Sequence, residues 1–285
     1  MTVRFVTYSV DDTTRVGAVV DERVVDLGAA GYGDMVDLIA SGRAAIDELA
    51  LESYPDRPLD EVQLLAPVRP RKNVFAIGRN YVAHLGEVSG LKADAETLPD
   101  HPIVFTKPPT SLIGPGAAIE SSNDPTGTTD YEGELGVVIG PGGRNIAPES
   151  AWDHVFGYTI INDVTARGLQ KRHIQWFVGK AVDTYCPMGP WIVTADAIGD
   201  VTRLEVRTEV NGELRQHGRV ADLIFDIPTL IATLSEVITL EPGDVIATGT
   251  PAGVGAGFEP PRYLQPGDVV SITIDGIGTL TNPVL

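Results

Sequence analysis

The chain has 285 residues, 43% of them apolar, which is enough to bury one large core or a small core beside a large one. Its 39 acidic against 21 basic residues give a formal charge of -18, which repels phosphate backbones and anionic lipid, and no basic patch offsets it, so neither nucleic acid nor a membrane is an expected partner. The one cysteine, Cys186, excludes an intramolecular disulfide framework and suits a reducing cytoplasm, and no apolar run approaches the roughly 20 residues of a membrane-spanning helix.

From the amino terminus, Val3–Tyr8, Val16–Val20 and Arg23–Asp26 read as short strands, and the start lacks the apolar core and small-residue cleavage site of a signal peptide. The register of Met35, Leu38, Ile39, Ile46 and Leu49 predicts a helix over Met35–Leu49. The run Pro67–Asn73 then breaks all periodicity, which sets a small amino-terminal α/β domain at residues 1–66 and a larger domain at 67–285. Beyond it, apolar β-rich runs recur at Val74–Ile77, Ile103–Thr106, Leu135–Ile139, Tyr158–Ile161, Trp191–Thr194, Leu204–Val210, Val245–Thr248 and Val269–Ile274. Asn211-Gly212 and Asp275-Gly276 predict two-residue hairpin turns, and hence antiparallel pairing. One clear amphipathic helix is predicted over Ile227–Ile238, with Pro228 tolerated in its first turn. The fold class is mainly β with some helix, an α+β protein.

Chemistry concentrates in four places. In Asp130-Tyr131-Glu132-Gly133-Glu134, alternate residues of a strand would set three carboxylates on one face, either as a solvated acidic edge or as a buried row that needs protons or a divalent cation. Gly133 would leave the opposite face bare at its centre. In Asn80–Glu87, a helical turn would let Glu87 orient the imidazole of His84, either as half of a general-base apparatus or as an ordinary surface pair. Gly86 weakens that turn, and the polar stretch Lys92–Asp100 after it fits a loop that closes over a ligand.

Asp163, Arg167 and Gln170 fall at spacings of four and three, suited to a metal carboxylate with anion-binding groups beside it, or to a helix cap with its own ion pair. Lys180, among apolar residues, either reaches out to solvent or pairs with the carboxylates, and Lys107 poses the same question. The Gly-rich run Thr248–Gly257 lacks the Lys-Ser/Thr ending of a phosphate loop and reads equally as a close-approach turn whose amides and Thr250 hydroxyl meet a carboxylate or as a tight structural turn.

Taken in order, Gly78-Arg79-Asn80-Tyr81 with His84 and Glu87, Phe105–Pro108, Glu132 and Glu134, Asp163 with Arg167 and Gln170, Lys180 before Cys186-Pro187, and Gly249–Gly255 resemble the fumarylacetoacetate hydrolase family from about Asn73 to Asp275. Within it they resemble the branch of acylpyruvases and 2-hydroxyhepta-2,4-diene-1,7-dioate isomerases. The resemblance implies a mixed β-roll or flattened β-barrel, and a homodimer. It implies Glu132, Glu134 and Asp163 as ligands of Mg²⁺ or Mn²⁺, with Ca²⁺ able to substitute. Lys180 would stand beside the metal, and Arg167, Gln170, Thr250 and Lys107 would hold a small anionic 2-oxo acid. His84 with Glu87 would activate water on a closing lid, and Asp130 is not a standard ligand of the pattern. Gly168 stands where the family often has an aspartate.

The activity so implied is metal-dependent C–C hydrolysis of an acylpyruvate or β-diketo acid, fumarylpyruvate-like, to pyruvate and a carboxylic acid. The same chelate would serve an isomerase of 2-hydroxyhepta-2,4-diene-1,7-dioate or an oxaloacetate decarboxylase. A non-catalytic binding protein on the same scaffold is the remaining alternative.

Overall fold

The computed structural model describes residues 4–85, 87 and 98–285. Gly86 and most of the loop expected at Lys92–Asp100 lie outside them. The expected mixed, sheet-dominated architecture is present, and the main sheet is open rather than closed into a barrel. Its order runs Asp56–Pro58, Arg23–Asp26, Thr13–Val20, Arg4–Val10, Cys186–Thr194, Val155–Asn162, Gly133–Ile139, Val245–Ala247, Val74–Gly78 and Ile103–Lys107. Pairing along it is antiparallel except where Val245–Ala247 lies parallel to Val74–Gly78. The amino-terminal strands enter the same sheet through Arg4 opposite Val193 and Phe5 opposite Ile192. A second sheet of four strands packs Glu213–Arg219, Glu205–Val210, Val269–Ile274 and Gly278–Pro283 antiparallel.

Alternation along Gly133–Ile139 explains how the layers meet. Leu135, Val137 and Ile139 join the core shared with Val206 and Ile272 of the second sheet, whereas Val138 faces the core that holds Leu27, Met35 and Leu38. Both faces of this strand are therefore buried, which is why its sequence is a continuous apolar run. Gly133 belongs to the first of these faces, so its bare flank is filled rather than open. A methyl group there would overlap the Thr208 hydroxyl and press on Ile272 at 3.2 Å. Gly133→Ala is expected to cost about 1–3 kcal/mol by overpacking, read as a lower melting temperature.

Two local expectations are corrected. The helix expected over Met35–Leu49 is two helices, Met35–Ala40 and Gly42–Asp47, because Gly42 takes φ 82° and breaks the first. The turn at Asp275-Gly276 carries a third residue, since Ile274 pairs with Gly278, whereas Asn211-Gly212 is a two-residue turn with both φ positive. The late helix runs Ile227–Val237, capped by the Asp226 carboxylate accepting from the Thr229 amide. Cys186 is buried, and burial pushes its thiol up to about 12. Among the described residues no helix is long and apolar enough to cross a membrane.

Candidate active site

Four chain segments end together at one edge of the main sheet: the last residues of Val74–Gly78, Val155–Asn162 and Val245–Ala247, and the first of Gly133–Ile139. A cavity of about 390 Å³ opens there. His84, Glu132, Glu134, Arg167, Gln170, Lys180 and Thr250 line it, so seven of the residues singled out from the sequence share one space.

Glu132, Glu134 and Asp163 each direct a carboxylate oxygen to a common point, these oxygens lying within 4.8 Å of one another. The acidic row is nonetheless not one strand. Asp130 belongs to the short pair Thr129–Asp130 with Thr165–Ala166, and the chain leaves regular pairing at Tyr131 and Glu132 before entering the main sheet at Gly133. The break turns Asp130 away from the other carboxylates. It accepts from Arg167 Nε at 2.8 Å and from the amides of Gly255 and Ala256 at 2.6 and 3.0 Å.

Burial of four carboxylates demands cations, and three are supplied. Lys180 Nζ donates to Glu132 Oε2 at 2.7 Å and to Asp163 Oδ2 at 2.5 Å. Arg167 Nη2 lies 2.6 Å from Glu132 Oε1, and its Nη1 donates to Gln170 Oε1 at 3.2 Å. Lys107 is fully buried behind the cavity, donating to the carbonyls of Val164 and Lys180 at 3.1 and 2.5 Å with Asp163 Oδ1 at 2.7 Å. Lys180 thus pairs with the carboxylates instead of reaching solvent.

One negative charge is left over, and it falls on Glu134. Burial, then Asp163 and Glu132, push its carboxyl well above the usual range. Burial also opposes ionisation of Glu132, but Lys180 and Arg167 outweigh it and hold that carboxyl well below the range. Asp163 Oδ1, though in ionic contact with Lys107, is out of hydrogen-bond alignment and has an unfilled lone pair. Three convergent hard oxygens, a surplus charge and an unfilled lone pair fit a divalent cation of the Mg²⁺ or Mn²⁺ type.

The Gly-rich run supplies the opposite wall. Gly249 donates its amide to Glu134 Oε2 at 2.8 Å from φ 107°, and an added methyl group would meet Asn80 Cβ at 2.7 Å, so only glycine fits. Thr250 Oγ1 donates to the Gly133 carbonyl at 3.0 Å and accepts from Gln216 Nε2 at 2.7 Å. Gly253 donates to both oxygens of Glu87 at 2.8 and 2.9 Å, and Glu87 Oε2 lies 3.2 Å from His84 Nδ1. His84 sits on the short helix Val82–Leu85 and is buried in the cavity lining, whereas the Glu87 side chain behind it is 23% exposed. The sequence reading gave no role to Arg79, Lys171 or Trp176, which also line this space. A charged residue directly after the buried strand end Ile77-Gly78 was the available signal for the first.

Comparison with known proteins agrees with this arrangement. Residues 73–285 match the family model described as fumarylacetoacetate (FAA) hydrolase, C-terminal. The chain is 47% identical to the oxaloacetate tautomerase YisK of Bacillus subtilis, across 99% of this chain and 100% of the relative. Among solved structures, a fumarylacetoacetate hydrolase from Exiguobacterium antarcticum superposes with a TM-score of 0.87 at 44% identity over 99% of both chains. A maleylpyruvate hydrolase from Sphingobium, in complex with manganese(II) and pyruvate, superposes with a TM-score of 0.80 at 34% identity over 99% of this chain and 98% of that one. The converging carboxylates, their buried cations and a match that spans the whole cavity have one explanation: this chain is an enzyme of the fumarylacetoacetate hydrolase family.

Proposed function

We propose that the chain is a divalent-metal-dependent tautomerase of a small 2-oxo dicarboxylate, interconverting the keto and enol forms of oxaloacetate. The observation that carries this reading is the pairing of a complete carboxylate cavity with full-length similarity to an oxaloacetate tautomerase. A Mg²⁺ or Mn²⁺ ion held by Glu132, Glu134 and Asp163 would supply a Lewis acid for the 1-carboxylate and 2-oxo oxygens.

The remaining work falls to the chain itself. Arg167 and Lys180, fixed by Asp130, Glu132 and Asp163, keep the chelating end of the cavity cationic enough to admit an anion. Glu87, clamped by the Gly253 amide, holds His84 through Nδ1, which leaves Nε2 to carry the lone pair. Nε2 takes a proton from C3 of the keto form, the C–H electron pair moves into the C2–C3 bond, and the imidazolium then returns that proton to the 2-oxo oxygen, which completes the enol and restores neutral His84. Glu87 need not change protonation; its task is to orient and stabilise the imidazolium.

A second reading, hydrolysis of an acylpyruvate, is supported by the same rigid pair, which could instead take the proton of water, and by the similarity to a maleylpyruvate hydrolase. Ultraviolet decay of oxaloacetate enol distinguishes them when compared with pyruvate release from an acylpyruvate. The tautomerase reading expects EDTA-sensitive acceleration of the first, restored by Mn²⁺ or Mg²⁺, with His84→Asn lowering kcat about 100-fold while metal affinity is kept. Pyruvate release without enol turnover would reverse the order of the two readings. The same reading takes the enzyme as a cytoplasmic homodimer, which light scattering in solution checks.

A further inference from the structure

The cavity is electrically lopsided. Glu132 and Glu134 line one part of it, and together with the buried Asp130 and Asp163 they stand against Lys107, Arg167 and Lys180, each of which is in contact with at least one carboxylate. Arg79 and Lys171 also line the space, and among the described residues neither forms an ion pair. A substrate that chelates at the carboxylates therefore shares the space with two cations that pair with no carboxylate among the described residues.

Arg79 is held there against its own backbone preference. It follows the strand Val74–Gly78 with φ 56°, a left-handed conformation that disfavours a long side chain. The next residue enforces it. The Asn80 side chain donates to the carbonyls of Phe225 and Thr248 at 3.0 and 2.8 Å and accepts from the Phe225 amide at 2.8 Å, leaving the chain no latitude at this turn. The guanidinium then stacks over Trp176, its Cζ 5.8 Å from the ring centroid. Trp176 is itself fixed, meeting Phe105 edge-on at 5.6 Å and lying so close on Gly78 that a methyl group there would come within 2.3 Å of the ring. Strain at one residue, locked by a neighbour and braced on a seated aromatic, is the construction of a binding group rather than of a surface arginine.

We propose that Arg79, with Lys171 lining the same cavity, is the receptor for the second carboxylate of the substrate, so that this enzyme selects 2-oxo dicarboxylates over 2-oxo acids with an uncharged tail. This rests on the functional reading above for the orientation of the substrate, with its chelating end at the carboxylates. The planar fork of Arg79 takes a carboxylate in two parallel hydrogen bonds, and Lys171 adds a point charge.

The test is calorimetry on the Mn²⁺-loaded protein with malate, 2-hydroxybutyrate and oxalate. Malate and 2-hydroxybutyrate share a chelating head and chain length and differ in ending on a carboxylate or a methyl group. The wild-type protein is expected to favour malate by about tenfold or more, the value of a charge-assisted hydrogen bond. Arg79→Gln should bring the two within about twofold of each other, with Arg79→Lys retaining part of the preference. Oxalate, which occupies only the chelating end, should bind all three proteins alike and so reports that each is folded and metal-loaded. No preference in the wild type, or a preference that survives Arg79→Gln, overturns the assignment. Because the ratio needs no turnover, a protein inert toward oxaloacetate that still shows the ratio keeps the receptor and loses only the tautomerase reading.

Discussion

Glu134→Gln is expected to eliminate Mn²⁺ binding by calorimetry and to lower metal-dependent turnover by about 1,000-fold, the scale of a lost Lewis acid. The same substitution is expected to raise the melting temperature in EDTA. The two effects have one cause. Glu134 carries the charge that Lys107, Arg167 and Lys180 do not balance, while among the described residues its side chain accepts one hydrogen bond, from the Gly249 amide. A neutral side chain of equal shape can keep the position of the Gly249 contact and removes the cost of a buried carboxyl that must either repel its neighbours or take up a proton, a gain of about 1–3 kcal/mol without metal. A variant that melts lower in EDTA, or that binds Mn²⁺ as the parent does, would falsify this account of the cavity's charge.

Lys107→Met should act in the opposite direction. Its ammonium is fully buried and contacts Asp163 Oδ1 and two carbonyls, so the apolar replacement strands acceptors and leaves the cavity with a second uncompensated charge. Losing one member of such a buried cluster costs about 3–5 kcal/mol, a fall in melting temperature on the order of 10 °C. Saturating Mn²⁺ should recover part of the loss, because a dication beside Asp163 does some of the ammonium's work. Thermal melts with EDTA and with MnCl₂ give both numbers, and an equal loss under the two conditions would show that Lys107 acts by packing alone.

The chemistry was more legible in the sequence than the architecture that holds it. Glu132, Glu134, Asp163 and Lys180 stand in short blocks whose residue types already suit a hard cation, and they meet as those types require. The same blocks did not reveal that Asp130 turns away, because alternation along a strand holds only while the strand continues, and pairing stops at Tyr131 and Glu132. Nor did they reveal the Asn80 clamp, whose partners Phe225 and Thr248 lie more than a hundred residues along the chain. The helix expected over Met35–Leu49 failed at Gly42, where an apolar register outlasted the backbone that was meant to carry it.

One strand sets the schedule on which all this can be assembled. Val245–Ala247 lies between Gly133–Ile139 and Val74–Gly78, so the main sheet has an interior gap, third from one end, until the last fifth of the polypeptide is being synthesised. A chain emerging from the ribosome leaves the facing edges of Val74–Gly78 and Gly133–Ile139 unpaired while residues 140–244 are added, a long-range pairing of the kind that slows folding. Glu132, Glu134 and Asp163 stand on and beside the adjacent antiparallel pair Gly133–Ile139 and Val155–Asn162, so they can meet before that strand inserts, and its arrival adds the Gly249 amide that holds Glu134.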